Sequence, residues 1–70
     1  MRADRVEISW DAHQSKWLVR IQSGEEVIRR YCSLPKAADD RVLRSAAETT
    51  VHDEGYELDS AIIQIRRPAA

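Results

Sequence analysis

The sequence predicts a two-layer α+β domain, in which one helix packs on one face of a four-stranded mixed sheet. Three observations support this fold class. Two segments that alternate apolar and polar residues flank a polar loop, a third strand-like segment follows a glycine turn, and a later segment has helical spacing. The predicted element order is β-β-β-α-β with strand order 3-2-1-4, in a single domain over residues 1–70 whose ends, 1–4 and 67–70, are frayed.

The first two strands, over residues 5–10 and 16–22, are predicted to form a hairpin around a polar loop. Antiparallel pairing with Trp10 opposite Trp17 places six apolar side chains on one face, because side chains alternate along a strand. These side chains are Val6, Ile8, Trp10, Trp17, Val19 and Ile21. A slip of one residue would exchange the two faces, so the pattern specifies the register.

The third strand is predicted over residues 26–32, after a turn at Gly24. A two-residue type II′ loop at Gly24 and Glu25 places on the core face Ile28, Arg30 and Cys32. A three-residue loop places there instead Val27, Arg29 and Tyr31. Either register directs one arginine toward the core, which is tolerated only where its guanidinium reaches water. We therefore expect this strand at an edge of the sheet.

The single helix is predicted over residues 36–54, with Ser33 as its N-cap, Pro35 in its first turn and Gly55 as its C-terminal cap. Its inward-facing positions recur at three- and four-residue spacing and are Ala38, Val42, Leu43, Ala46, Ala47, Thr50 and Val51.

The last strand is predicted over residues 60–66. One of its faces carries Ala61, Ile63 and Ile65. The other face carries Ile62, Gln64 and Arg66. A right-handed crossover through the helix makes this strand parallel to the first strand, with which it pairs.

Composition excludes several classes of function. The net charge of −1 gives no overall attraction to nucleic acid or to an anionic membrane, and no run of roughly 18 apolar residues could span a bilayer. The charged first residues are unlike a signal peptide, and Cys32 has no partner for an internal disulfide. We expect a cytoplasmic protein, and the excess of arginine over lysine favours a GC-rich bacterial genome.

Few residues could carry catalysis or bind a metal. Cys32 could be a nucleophile with His13 or His52 as its base, but a lone strand cysteine is usually a small buried hydrophobe. The acidic residues beside His52 match no metal-ligand spacing. We therefore expect no enzyme activity, no cofactor, no metal and no small-molecule ligand. A small core stabilises weakly, so a homodimer is the expected reinforcement.

The sheet face away from the helix, called here the open face, is the predicted contact surface. It places Glu7 opposite Arg20, an attractive cross-strand pair. Arginine and tyrosine are enriched at interfaces. The candidate interface residues are Glu7, Leu18, Arg20, Arg29, Tyr31, Ile62, Gln64 and Arg66. These predict a non-enzymatic protein-interaction module that self-associates or binds another protein; the alternative is weak nucleic-acid binding through Arg20, Arg29 and Arg66.

The predicted element order resembles the partial ribonuclease-H-like unit of HicB-type antitoxins. The segment Arg30-Tyr31-Cys32-Ser33 departs from the glycine-containing segment of that family. Three strands followed by an alanine-containing helix also resemble the second half of a double-stranded-RNA-binding domain, although its first helix and lysine cluster have no counterpart in this sequence. Element order alone does not define function, so neither resemblance assigns a functional residue.

Overall fold

A computed structural model describes residues 2–58 and 62–67 and confirms the α+β fold. Four strands and one helix follow the predicted order: β1 Arg5–Asp11, β2 Lys16–Ser23, β3 Glu26–Cys32, α1 Asp40–Asp53 and β4 Ile63–Arg66. The sheet order is β3-β2-β1-β4, with β4 parallel to β1 and the other two pairings antiparallel. The helix lies on one face of this sheet, and the core lies between the two layers.

The β1–β2 hairpin has the predicted register, with Trp10 opposite Trp17. The two indole rings meet edge to face, with centroids 5.5 Å apart and planes inclined by 69°. Trp17 is fully buried, and its Nε1–H donates a hydrogen bond to the Pro35 carbonyl oxygen at 2.9 Å. A buried indole needs such an acceptor, so this contact fixes the chain that leads from β3 to α1.

The turn between β2 and β3 decides between the two registers left open by the sequence. Gly24 has φ of +59° and the turn has two residues, which fits type II′. Ile28 therefore faces the helix opposite Ile21, and Arg30 lies on the same side. As expected of an edge strand, Arg30 reaches outward and its Nη2 lies 2.8 Å from Glu54 Oε1, with half of its side chain exposed.

The helix begins later than predicted. It starts at Asp40, and the Asp39 side chain is the N-cap, accepting a hydrogen bond from the Val42 N–H at 2.9 Å. The prediction of Ser33 as N-cap with Pro35 in the first turn is therefore wrong. The Pro35 carbonyl oxygen instead accepts from Trp17 and closes a short turn before the helix, so tertiary contact overrides the local signal.

The inward helix face is narrower than predicted, because only Leu43, Ala47 and Val51 are buried in α1. Val42 is 43% exposed, which contradicts its predicted inward position.

Gly55 ends the helix as predicted, with φ of +84°. Its N–H donates to the His52 carbonyl oxygen at 3.0 Å, and the Tyr56 N–H donates to that of Val51 at 3.1 Å. These two hydrogen bonds form a Schellman motif, which satisfies the last carbonyl groups of the helix.

The last strand is shorter than predicted. It begins at Ile63, and the predicted strand residues Ser60 and Ala61 lie outside the described residues. Ile63 pairs with Val6 and is buried in the core, as alternation predicts. Ile62 precedes the strand and packs against the core, so its predicted place on the open face is wrong.

The N-terminal segment is bound to the fold, whereas composition predicted a frayed end. The Ala3 N–H donates to the Glu57 carbonyl oxygen at 2.8 Å, and the Asp4 N–H donates to that of Gln22 at 2.7 Å. Ala3 is buried in the core. At the other end, Arg67 Nη1 donates to the Ala38 carbonyl oxygen at 3.0 Å, so this residue is also held.

Candidate functional site

Strand alternation builds the open face as a regular grid of side chains. One row crosses all four strands from β3 to β4, and in register order contains Arg29, Arg20, Glu7 and Gln64. The next row contains Tyr31, Leu18, Ser9 and Arg66. The row on the other side contains Val27, Gln22 and Arg5. Neighbouring strands lie about 4.8 Å apart, so side chains within a row are direct neighbours.

The open face is basic although the chain as a whole is slightly acidic. Its cationic side chains are Arg5, Lys16, Arg20, Arg29 and Arg66. Its carboxylates are Glu7 and Asp11, which leaves a net charge of +3 against −1 for the whole chain. The acidic residues are therefore concentrated on the helix side and in the loops, and an anionic partner is attracted to the open face.

Glu7 lies opposite Arg20 as predicted and also has an ionic partner that was not predicted. The register places it opposite Arg20 as expected, but its Oε2 accepts from Arg66 Nε on β4 at 2.9 Å. The parallel pairing of β1 with β4 sets Arg66 diagonally beside Glu7, two residues beyond Gln64. The Arg20 Nε is buried and has no hydrogen-bond partner among the described residues.

Arg20 and Arg29 lie directly opposite each other on β2 and β3, with both side chains on the open face. Two like charges at opposed positions destabilise a sheet, because their Cβ atoms are only about 5 Å apart. Neither guanidinium forms a salt bridge with a described carboxylate of the open face. The pair therefore concentrates positive charge near one edge, with Glu7 opposite Arg20 on the other side.

Tyr31 is held at the end of this edge by the first hairpin loop. Its hydroxyl donates to Asp11 Oδ2 at 3.1 Å, while Asp11 Oδ1 accepts from the backbone N–H groups of His13 and Gln14. The hydrogen bonds from Gln14, Tyr31 and His13 lower the pKa of Asp11, and the bond to Asp11 raises the pKa of Tyr31. Both oxygens of Asp11 thus accept hydrogen bonds, which favour its ionised form.

Apolar side chains surround the arginine pair. Val27 and Tyr31 lie two residues before and after Arg29, on the same face, and are 37% and 49% exposed. Leu18, beside Tyr31, is half-buried. We call the five residues Val27, Arg29, Tyr31, Leu18 and Arg20 the arginine patch. It combines exposed apolar area with two guanidinium groups.

The other residues considered for chemistry are not brought together. Cys32 is half-buried, with its Sγ 3.6 Å from Thr50 Oγ1, and Thr50 donates to the Ala46 carbonyl oxygen. His13 lies in the first hairpin loop and His52 near the end of α1. Among residues 2–58 and 62–67, no group of three or more His, Cys, Asp or Glu side chains is arranged to hold a metal.

A concave surface on the helix side of the molecule was not predicted. This groove, of about 690 Å³, lies beside the second half of α1 and is lined by Arg2, Glu48, Thr49, His52, Tyr56, Glu57 and Leu58. The Tyr56 hydroxyl donates to Glu26 Oε2 at 3.0 Å, and this bond raises the pKa of Tyr56. Sequence reasoning missed the groove because it depends on a bridge between Arg2 and Glu57, for which no local pattern exists.

A scan against protein-family models and searches of curated proteins and solved structures found no match to this chain. None of the helices in the described part of the chain is both long and apolar enough to cross a membrane. Function is therefore inferred from the chemistry of the surface.

Proposed function

We propose that the protein is a non-enzymatic protein-interaction module and that the open face of its sheet is the contact surface. The arginine patch is the observation that carries this proposal, because it combines exposed Tyr31 and Val27 with two arginines. Tyrosine and arginine supply much of the binding energy at protein interfaces, especially where apolar area surrounds them. We place this activity in the cytoplasm, where the lone thiol of Cys32 stays reduced.

Self-association is part of the proposal, and the free edge of β3 supports it better than the open face does. Two open faces of charge +3 would repel each other. The two-residue turn makes Ser23 and Glu26 a hydrogen-bonded pair, so the backbone groups of Val27, Arg29 and Tyr31 point away from β2. Among the described strands β3 pairs with β2 alone, so these groups are available to a second copy.

We infer a two-fold axis at Ile28 for the pairing of two β3 strands. Glu26 of each copy then lies opposite Arg30 of the other, which forms two attractive cross-strand pairs. Sedimentation velocity from low to high micromolar concentration tests this arrangement. We expect a dimer for the native chain and a monomer for Val27→Pro, which removes an outward N–H that β2 does not use. A native chain that stays monomeric at high micromolar concentration would contradict the homodimer.

Binding of another protein through the open face is tested with matched variants. The tagged protein is expressed in its source cells, and co-purifying proteins are quantified for Tyr31→Ser and for Val42→Ser as control. Val42 is an exposed apolar residue on the helix side, so its loss removes a similar kind of surface elsewhere. We expect a protein that is retained by the native chain and Val42→Ser but lost from Tyr31→Ser. Equal retention by all three would refute the open face as the contact surface.

Nucleic-acid binding is the second candidate, favoured by the net positive charge of the open face. It would use Arg20, Arg29 and Arg66. Affinity for nucleic acid increases with the number of phosphates neutralised, and Arg66 is already paired with Glu7. We expect no salt-dependent change in the fluorescence anisotropy of a labelled single-stranded oligothymidine. Binding that weakens with salt and is lost in an Arg20→Gln/Arg29→Gln variant would establish this second function.

A further inference from the structure

We infer that Arg20 and Arg29 together bind a carboxylate side chain of a partner protein, and that Val27, Leu18 and Tyr31 contact apolar residues on either side of it. This inference rests on the proposed function and specifies the chemistry of the partner. Its starting observation is that two guanidinium-bearing residues lie directly opposite each other on β2 and β3. Such a pair is unfavourable in the free protein and becomes favourable when an anion lies between the two groups.

The fold does not supply that anion from its own carboxylates. Glu7, on the far side of Arg20, accepts from Arg66. Asp11 is held by Tyr31 and by two backbone N–H groups. The Arg20 Nε is buried without a hydrogen-bond partner in the described part of the chain, although buried donors are nearly always paired. Both carboxylates of the open face are therefore engaged, and none of the salt bridges in the described part of the chain uses the guanidinium of Arg20 or of Arg29.

The surroundings of the pair favour a carboxylate of a protein over the phosphates of a nucleic acid. A guanidinium binds a carboxylate through two parallel N–H···O bonds, and nearby apolar side chains exclude water from such a contact. Val27 and Tyr31 provide exposed apolar area on either side of Arg29. A nucleic acid instead needs a line of cations, whereas Arg66 is two strands from Arg20 and paired, and Asp11 places a negative charge beside Tyr31.

The spacing of the patch predicts the form of the partner. Val27, Arg29 and Tyr31 follow each other at every second position of β3, so their side chains are about 7 Å apart. An extended chain that lies on the open face, over β3 and parallel to its axis, presents every second side chain to this face at the same spacing. The matching sequence is apolar, any, acidic, any, apolar. We therefore expect an extended segment in which one glutamate or aspartate lies between two apolar residues.

The test is an NMR titration with a synthetic pentapeptide that contains leucine, serine, glutamate, serine and leucine in that order. Its control peptide has glutamine in place of glutamate. We expect saturable shifts of the Arg20 and Arg29 Nε–H signals and of the Leu18, Val27 and Tyr31 amides with the glutamate peptide. The glutamine peptide should bind at least about tenfold more weakly, because a charge-assisted hydrogen bond is lost.

Two variants separate a specific site from general charge attraction. Arg29→Gln should weaken binding of the glutamate peptide about tenfold or more, and Arg41→Gln, an exposed helix position with the same charge change, should leave it unchanged. Arg29 is exposed, so we expect its replacement to leave the core intact, and the amide spectrum of the variant outside the patch checks this. Equal losses of peptide affinity in the two variants would overturn the inference. It would also be overturned if the peptide bound without saturation, or if it shifted signals outside the arginine patch and not those within it.

The probe for the nucleic-acid explanation is an oligothymidine added in the same buffer. If it shifts the arginine signals at lower concentration than the peptide does and the shifts disappear with salt, the carboxylate site is refuted. Failure of the inference is distinguishable from failure of the proposed function. A cellular partner that is lost from Tyr31→Ser but retained by Arg29→Gln would support the interaction module and refute the carboxylate site.

Discussion

Reversal of the charge at Arg29 should stabilise the protein. In the native sheet Arg29 lies opposite Arg20, and Arg29→Glu converts a repulsive cross-strand pair into an attractive one. Two unit charges about 6 Å apart in mostly aqueous surroundings interact by roughly 0.7 kcal/mol, and a reversal counts this energy twice. Side-chain ordering and salt screening reduce the gain. We therefore expect the free energy of unfolding to rise by about 1 kcal/mol, within the range of cross-strand pairs.

Chemical denaturation followed by tryptophan fluorescence measures this change, since Trp17 is buried in the folded protein. In a domain of this size about 1 kcal/mol corresponds to a rise of roughly 4–8 °C in Tm. Lys36→Glu is the control, because it makes the same change in net charge at an exposed residue outside the sheet. Added salt should stabilise the native chain relative to Arg29→Glu, since it screens repulsion in one and attraction in the other. An Arg29→Glu variant that is no more stable than Lys36→Glu would refute the reasoning.

Three further predictions concern stability. Asp39→Ala removes the helix N-cap and should lower the free energy of unfolding by about 1 kcal/mol in chemical denaturation, whereas Ser33→Ala should change it little. Gly55→Ala places a Cβ at φ of +84°; no atom crowds it, so the cost is the backbone strain alone, about 1 kcal/mol. The hydrogen bonds from Gln14, Tyr31 and His13 hold the pKa of Asp11 below its ordinary value of 3.8, so its carboxylate stabilises the fold above that pH. This contribution disappears as the pH falls through the folded-state pKa, and Asp11→Asn should therefore flatten the acid limb of a pH–stability curve.

Each of these predictions has a result that contradicts it. A larger loss for Ser33→Ala than for Asp39→Ala would place the cap at the position that the sequence favoured. A Gly55→Ala variant with an unchanged free energy of unfolding would mean that the end of α1 adjusts without strain. An unchanged acid limb in Asp11→Asn would show that Asp11 is not held in solution by the bonds from Gln14, Tyr31 and His13.

The strands were predictable from the sequence because their two faces differ in chemistry. In β1 and β2 every second residue is apolar, so only the observed register buries Trp17 opposite Trp10. In β3 both faces carry an arginine and apolar residues, and the pattern cannot choose between them. The type II′ turn at Gly24 chooses instead, through the geometry of two residues.

The misplaced features depend on contacts between residues far apart in the chain. Ser33 and Asp39 are both good caps locally, and the hydrogen bond from Trp17 to Pro35 decides between them. The ion pair between Glu7 and Arg66 was not predicted, because the diagonal position of Arg66 follows from the β1–β4 register, which a strand of four residues does not specify by itself.

Most candidate interface residues do lie on the open face, since alternation alone places them there. The exception, Ile62, precedes its strand, where alternation does not apply. Arg20 and Arg29 were both predicted on the open face, but their direct opposition depends on the β3 register, which the sequence left open and the structure fixes. Composition alone gave no sign of this basic face, because the net charge of the whole chain is −1.

The most direct test of the open face as the binding surface is the NMR titration with the glutamate peptide. We expect the signals of Arg20 and Arg29 to shift saturably, together with the amides of Leu18, Val27 and Tyr31, while those of α1 remain unchanged. Shifts confined to α1 and to the groove at residues 56–58 would place binding on the opposite side of the molecule and contradict this assignment.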